Sequence, residues 1–326
     1  MNHTVLLTAP YMIPILDRFK PVFVRYGLDP LVVPGVQERM EEDDLLKYAG
    51  QFDGAICGDD RYTARVLEAC LPRLKVISKW GTGVDSIDAS ACSRLKIKLC
   101  RTPNAFTIPV ADTVLGYMLD FARRGPWMDA TMKRGRWEKI PGITLSECTL
   151  GVIGIGNIGK AVTRHARAFG MKVLGTDIIE IDPLFVRESG IRMTDLQSLL
   201  SESDFVSVNC DLNPTSLRLL NSDSFALMKS TAVLINTARG SIVDEKALTA
   251  ALRSGQIAGA ALDVFEAEPL PQDSPLLKME NVLLAPHNSN SSPAAWERVH
   301  WNTIKNLVEG LGLRYEEGLF SEKPKG

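Results

Sequence analysis

In the first part of the chain, short and continuously apolar runs alternate with stretches whose apolar positions recur at helical spacing. The runs Val5–Thr8, Leu31–Val33, Gly54–Cys57, Val76–Ser78 and Ile97–Cys100 predict strands buried on both faces. Between them, Ile15–Tyr26, Asp43–Ala49, Ala64–Cys70 and Ile87–Leu95 predict helices. Strand–helix alternation of this kind implies a parallel sheet covered by helices on both sides. A longer amphipathic helix is expected at Val110–Arg124, where Val110, Val114, Met118 and Phe121 lie near helical spacing. After a connection containing Gly, Pro and Trp (Gly125–Thr144) the alternation begins again. Strands are predicted at Thr149–Gly154, Lys172–Thr176, Phe205–Asn209, Ala232–Asn236, Gly259–Val264 and Asn281–Ala285. Helices are predicted at Asn157–Phe169, Asp195–Glu202, Asp223–Met228 and Asp244–Ser254. The pattern therefore predicts an α/β protein with two doubly wound parallel sheets. The final stretch, with a helix at Pro293–Gly310, is too short for a domain and must dock on one already built.

Composition narrows the class further. A chain of 326 residues fits one large or two medium domains. At this size roughly 75% of the unfolded surface is buried on folding, so neither disulfides nor metals are needed to hold the fold. Hydrophobic content of 45% and charged content of 23% exclude disordered and fibrous classes. The 37 basic and 39 acidic residues leave a net charge of −2, which gives no reason to expect nucleic acid or an anionic membrane as partner. No apolar run approaches the ~18 residues of a membrane span. The N-terminal MNHTVLLTAPYMIP lacks a basic segment and reads as a first strand, not a signal peptide. Cys57, Cys70, Cys92, Cys100, Cys148 and Cys210 form no CxxC and no metal-like spacing, so reduced thiols in a cytoplasmic protein without a metal are expected.

Gly154-Ile155-Gly156-Asn157-Ile158-Gly159 ends an apolar strand and opens a helix. Glycines serve ordinary turns as well, but this context adds weight. The first glycine permits a tight turn, the second lets backbone approach a pyrophosphate, and the third allows close helix–strand packing. The pyrophosphate would then meet the N–H groups and dipole of the helix N-terminus. Asp177 ends the following strand, placed to accept from ribose hydroxyls, and no Arg or Lys follows it until Arg187. NAD is therefore expected over NADP.

Among the four histidines, His3 is terminal, and His165 and His300 lie in predicted helices as surface or packing residues. His287 differs, because it directly follows the strand NVLLAP. Arg239 follows AVLINTA, and Glu268 follows AALDVFEA. In open α/β sheets the ligand crevice lies at the carboxyl ends of the strands, which is where all three fall. Each alone is as readily a solvated loop charge. Together they are complementary: Arg forks onto a carboxylate or polarises a carbonyl, and His passes a proton at neutral pH. A carboxylate beside that His keeps it charged and oriented.

With these residues the chain resembles the D-isomer-specific 2-hydroxyacid dehydrogenases, which include phosphoglycerate dehydrogenases and glyoxylate/hydroxypyruvate reductases. The resemblance runs through KWGTGVDSID (Lys79–Asp88), RTPNAF with PVADT, LGVIGIGNIG, LINTARGSIVDEKAL, GAALDVFEAEPLP and LLAPH. It implies Arg239, Glu268 and His287 as the catalytic set. It also implies cofactor contacts at Thr82, Gly154, Gly156, Asn157, Ile158, Asp177, Cys210, Thr237, Ala238, Arg239, Asp263 and His287, with Asp263 at the nicotinamide amide. The substrate carboxylate would meet the glycine-rich turn Gly81–Val84 and Arg239, within a set formed by Lys79, Trp80, Gly81, Thr82 and Gly83. A surface role is an equally open reading for Lys79, and core packing is the preferred reading for Trp80.

Three positions depart from the commonest family pattern. Asn209-Cys210-Asp211 replaces a His-x-Pro, Phe106 stands where Asn is frequent, and NSNSSPAAW follows His287 in place of a run of small residues ending in Thr.

The resemblance implies a Rossmann NAD-binding domain (104–286) inserted into a flavodoxin-like substrate domain (1–103 plus 287–326), and a homodimer formed through Val110–Arg124 and the segment holding Trp127 and Trp137. With the chain running to Gly326, the added regulatory domain of some phosphoglycerate dehydrogenases is not expected. The reaction implied is hydride transfer between NAD(H) and a small D-2-hydroxy acid/2-oxo acid pair. The rival reading is a non-enzymatic NAD-sensing protein of the corepressor type. A formate dehydrogenase is further off, since in this superfamily it would carry Gln at position 268.

Overall fold

The computed structural model describes residues 2–36, 38–316 and 318. They form two compact units, Met1–Ala105 with Ser292–Gly326, and Phe106–Ser291. The first unit alternates β1 (His3–Leu7), α1 (Lys20–Arg25), β2 (Leu28–Val32), α2 (Glu42–Leu46), β3 (Gly54–Cys57), α3 (Ala64–Ala69), β4 (Val76–Lys79), α4 (Ala89–Arg94) and β5 (Lys98–Cys100). Its strands are parallel in the order β2–β1–β3–β4–β5, the flavodoxin-like order. Every residue of β3 and β4 is buried, which is why neither alternates polar with apolar; the buried Ser78 and Lys79 of β4 are held by polar partners. The helix expected at Ile15–Tyr26 is divided into a 3₁₀ turn, Ile13–Phe19, and α1. Pro14 and Pro21 explain the division. Each lacks an N–H and fits only the first turn of a helix, and each stands at the start of one segment.

The second unit opens with α5 (Thr107–Arg123) and α6 (Gly125–Lys133). It continues through β6 (Thr149–Ile153), α7 (Asn157–Ala168), β7 (Lys172–Thr176), α8 (Pro183–Ser189), β8 (Arg192–Met193), α9 (Leu196–Glu202), β9 (Phe205–Val208), α10 (Ser222–Leu227), β10 (Val233–Asn236), α11 (Glu245–Ser254), β11 (Gly259–Leu262) and β12 (Val282–Leu284). All seven strands are parallel in the order β12–β11–β10–β9–β6–β7–β8. Alternate residues of the central strands feed two cores. Leu150, Val152, Phe205, Val233 and Ile235 pack with α5 and α7, while Ile153, Val206, Val208 and Leu234 pack with α9, α10 and α11. The periodicity missed α6, α8 and β8. α6 follows Arg124 in the left-handed region (φ 57°) and starts with Pro126 in its first turn, a local break that hides it in a Gly/Pro segment.

The last helix, α12 (Pro293–Gly310), packs on β3, β4 and β5 of the first unit. A Cβ on Gly310 would lie 2.3 Å from Val76 Cγ2, so glycine sets how closely helix and sheet approach. The Ser78 hydroxyl donates to the Thr303 carbonyl at 2.8 Å.

The sequence reading ended the inserted segment at 286. In the structure the second unit runs on to Ser291, because Asp263 holds the residues after β12. The N–H of His287 donates to the Asp263 carbonyl (2.8 Å), and those of Asn288 and Ser289 donate to its carboxylate (2.7 and 2.9 Å). At the other end the boundary falls after Ala105 instead of residue 103. Residues 317 and 319–326 of the expected tail lie outside the described residues.

Candidate active site

At the carboxyl edge of the second sheet the strand order reverses between β6 and β9, the switch point at which α/β sheets open a crevice. The glycine turn sits there. Gly154 has φ 88°, and a Cβ on it would lie 2.6 Å from the Cys210 backbone nitrogen. A Cβ on Gly159 would lie 2.0 Å from the Gly154 carbonyl oxygen. Gly156, by contrast, meets nothing within 4 Å and precedes α7 without a side-chain cap on the helix N–H groups. Two glycines therefore build the turn, and the third leaves clear space over a helix N-terminus. This arrangement fits a pyrophosphate.

Asp177, directly after β7, fixes this turn. Its carboxylate accepts from Ile155 N–H at 2.6 Å and from Ile179 N–H at 3.2 Å. Ile158 is half-buried in the first turn of α7, beside the exposed Asn157. Across the switch point, Cys210 is half-buried, and burial pushes its thiol pKa up to about 11, so it is a neutral thiol at neutral pH. The Asn209 Oδ1 and Thr237 Oγ1 atoms are buried with no hydrogen-bond partner in the structure. Buried polar atoms are normally satisfied, so this pair beside the turn agrees with a polar ligand. The residues present fit a dinucleotide.

The three ionisable residues follow three adjacent strands: Arg239 after β10, Glu268 after β11 and His287 after β12. The Asn236 amide shapes the first turn, donating to the Arg239 carbonyl (3.0 Å) and accepting from Ala238 N–H (3.1 Å). Arg239 Nη1 donates to the Ala238 carbonyl at 2.8 Å. Gly240 lies so close to the next loop that a Cβ would fall 1.9 Å from the Phe265 carbonyl carbon. Glu268 Oε1 accepts from Phe265 N–H at 2.9 Å, and its Oε2 lies 3.1 Å from His287 Nδ1. Both partners are less than one-fifth exposed. His287 has φ 50°, a region sparsely used outside glycine, and the three bonds to Asp263 hold it there. Asp263 is thus an anchor of the His287 loop, with its carboxylate engaged by two backbone N–H groups.

The remaining sequence candidates lie in the first unit, at and after the end of β4. Lys79 is no surface lysine: it is 4% exposed, its Nζ lies 3.0 Å from an Asp59 carboxylate oxygen, and it donates to the Trp80 carbonyl. Trp80 is a core residue whose indole N–H donates to His300 Nδ1 at 2.9 Å, with Tyr11 stacked on its ring. Gly81 has φ 127° and accepts from Thr102 N–H, while the Thr82 hydroxyl donates to the Thr102 carbonyl. The turn containing Gly83 is therefore pinned by Thr102, and Arg101 Nη1 donates to the Thr82 carbonyl at 3.3 Å. Sequence reasoning missed Asn236 and the holding role of Asp263. For Asn236 a signal was present, since Asn two residues before Ala238 at a strand end favours a side-chain-to-backbone turn.

A sequence profile described as D-isomer specific 2-hydroxyacid dehydrogenase, NAD binding domain, matches residues 115–289. The chain is 39% identical over 255 residues to a glyoxylate reductase of Korarchaeum cryptofilum, covering 76% of each protein. It is 38% identical over 298 residues to a D-3-phosphoglycerate dehydrogenase of Methanocaldococcus jannaschii. That match covers 89% of this chain and 54% of the relative, so the chain spans about half that protein's length. The structure is similar to a D-lactate dehydrogenase from Aquifex aeolicus complexed with NAD and lactic acid, with TM-score 0.82 and 27% identity over 93% of each chain. The glycine turn, the carboxylate that braces it and the Arg, Glu and His on adjacent strand ends all lie within the matched residues 115–289, and the chain belongs to the D-isomer-specific 2-hydroxyacid dehydrogenases, a family of NAD-dependent oxidoreductases.

Proposed function

We propose that this protein reduces a small 2-oxo acid to the D-2-hydroxy acid, with Arg239, Glu268 and His287 as its catalytic set. The observation that carries the reading is the His287 Nδ1–Glu268 Oε2 contact of 3.1 Å at the carboxyl edge of the sheet. Bound NADH supplies the hydride. Arg239 orients the acid and polarises the carbonyl that is reduced. Glu268 favours the imidazolium form of His287, and with Nδ1 turned to the carboxylate, Nε2 is the ring atom that delivers the proton to the forming hydroxyl oxygen. In the reverse direction neutral His287 accepts that proton. In the first unit, the turn Gly81–Val84 offers backbone N–H groups suited to a carboxylate, and Lys79 holds the Trp80 carbonyl that precedes it.

The test is kinetic. Glu268→Gln keeps the shape and removes the charge, so the pH above which reductive kcat/KM falls should move lower. His287→Ala should cost about 10² or more in kcat, the usual worth of a positioned general acid. An unmoved pH profile together with near-normal His287→Ala turnover would sink the reading and leave NAD binding without catalysis. Glyoxylate, hydroxypyruvate, phosphohydroxypyruvate and pyruvate form the substrate panel, since the relatives named above include a glyoxylate reductase, a D-3-phosphoglycerate dehydrogenase and a D-lactate dehydrogenase.

The same reading includes a homodimer. α6 buries none of its residues, and Met132, Trp137 (87% exposed) and Ile143 present apolar surface within and after it. Sedimentation should give twice the chain mass, and Trp137→Glu should lower it. Among the described residues no helix is long and apolar enough to cross a membrane.

A further inference from the structure

Two glutamates outside the catalytic set are interlocked at the base of the Glu268 loop. Glu245 opens α11, and its carboxylate Oε2 accepts from Glu266 N–H at 3.2 Å. Glu266 returns the contact, its Oε1 accepting from Glu245 N–H at 3.3 Å. The neighbouring residue Phe265 gives its N–H to Glu268 Oε1, and the Phe265 carbonyl carbon is the atom pressed against Gly240. Successive N–H groups of one short loop are thus claimed by two carboxylates, one from α11 and one from the catalytic glutamate itself. Glu268 then spends its other oxygen on His287.

From this stitching we propose that Glu245 is a positioning residue for the reaction. By fixing Glu266 N–H it sets the course of the 265–268 loop and so the reach of Glu268 Oε2 to His287 Nδ1. The inference rests on the catalytic reading of the Glu268–His287 pair. Two like charges brought this close carry an electrostatic cost, and they persist here because each caps a backbone donor. Burial, together with the facing Glu266 carboxylate, raises the Glu245 pKa above the ordinary glutamate value. Among the described residues, the charged groups at this point include Arg218, whose Nε lies 3.9 Å from Glu266 Oε1, and Asp244, which is committed to capping Ala247 N–H. An arrangement that served only to start α11 would not need Glu245, since Asp244 already caps that helix.

The experiment compares Glu245→Ala, Glu245→Gln and Glu268→Gln in the full-length protein, reading thermal midpoint, NADH affinity and the pH profile of reductive kcat/KM. If Glu245 positions Glu268, Glu245→Ala lowers reductive kcat/KM by about 3- to 10-fold near neutral pH, with NADH affinity held within about twofold. It also moves the alkaline limb to lower pH, in the direction of Glu268→Gln. Glu245→Gln retains an oxygen acceptor for Glu266 N–H and so keeps most of the parent pH profile. The Glu245→Ala/Glu268→Gln double variant loses less than the two singles combined, because both act on one contact.

The inference is overturned if Glu245→Ala lowers the thermal midpoint while the limb stays in place and Glu268→Gln moves it. If Glu268→Gln itself leaves the limb unmoved, the catalytic reading of the pair fails, and this inference with it. Should Glu245→Ala not fold, Glu245→Asp, which shortens the reach by one methylene, supplies the same comparison with a smaller shift.

Discussion

Replacing Asp60 by Asn tests whether a buried carboxylate outside the proposed catalytic set controls how the first unit responds to pH. Asp60 has no exposed surface, and its carboxylate accepts from the Thr8 hydroxyl, Met40 N–H (2.6 Å) and Gly58 N–H (3.1 Å). Burial outweighs these bonds and raises its pKa from 3.8 to about 6. The folded chain therefore holds a proton between pH about 4 and about 6 that the unfolded chain has released. Stability from this group is greatest at acid pH, falls as pH rises through that window, and is flat above it, a change of about 3 kcal/mol in all.

Asn removes the titration. Oδ1 keeps Met40, and Nδ2 donates to Thr8 Oγ1, whose proton turns to the Ile56 carbonyl at 3.3 Å. Only Gly58 N–H loses its acceptor, at about 1–3 kcal/mol independent of pH. Asp60→Asn should thus be less stable than the parent near pH 4.5. By pH 7.5 it should have gained on the parent by about 2 kcal/mol, since at pH 4.5 part of the window already lies below. Urea unfolding followed by tryptophan fluorescence at both pH values measures the difference, with Trp80, Trp296 and Trp301 reporting on this unit. A gap that stays within about 0.5 kcal/mol across the range, or that widens against Asn as pH rises, refutes the reasoning.

His300, also in the first unit, should show the opposite linkage. Burial lowers its pKa to about 4, so its contribution is present above pH about 6.5 and is lost as pH falls toward 4, by up to about 3 kcal/mol. His300→Gln keeps an acceptor for the Trp80 indole, and its stability deficit in urea melts should narrow on acidification. Arg239→Lys keeps the charge but loses the planar fork, so kcat falls and KM for the 2-oxo acid rises, while NADH affinity by fluorescence quenching changes little. Asp177→Ala should narrow the preference for NADH over NADPH from at least ~10-fold toward parity. Because Asp177 also braces Ile155 N–H, KM for NADH should rise in the same assay, with turnover retained.

Local chemistry made much of this protein legible from its sequence. Buried parallel strands need apolar residues on both faces, so Gly54–Cys57, Val76–Lys79 and Val233–Asn236 stand out as continuous runs. Strands that all run one way put all their carboxyl ends on one edge, so Arg239, Glu268 and His287 fall on that edge whatever the strand order. The three glycines were legible for the same reason, because each answers a steric demand within a few residues of itself.

Tertiary structure decided which of these residues touch. That His287 Nδ1 meets Glu268 depends on β11 and β12 being neighbours and on Asp263 holding the turn after β12. The same bonds moved the boundary of the second unit past His287. Lys79, readable from its composition as a surface cation, is buried because Asp59, at the end of the adjacent strand β3, supplies the opposite charge. Asp177, read from the sequence as a ligand for ribose, braces the glycine turn in the structure. In each case the deciding partner lies far along the chain, and hydrophobic periodicity constrains only which face a residue takes, never which neighbour it finds there.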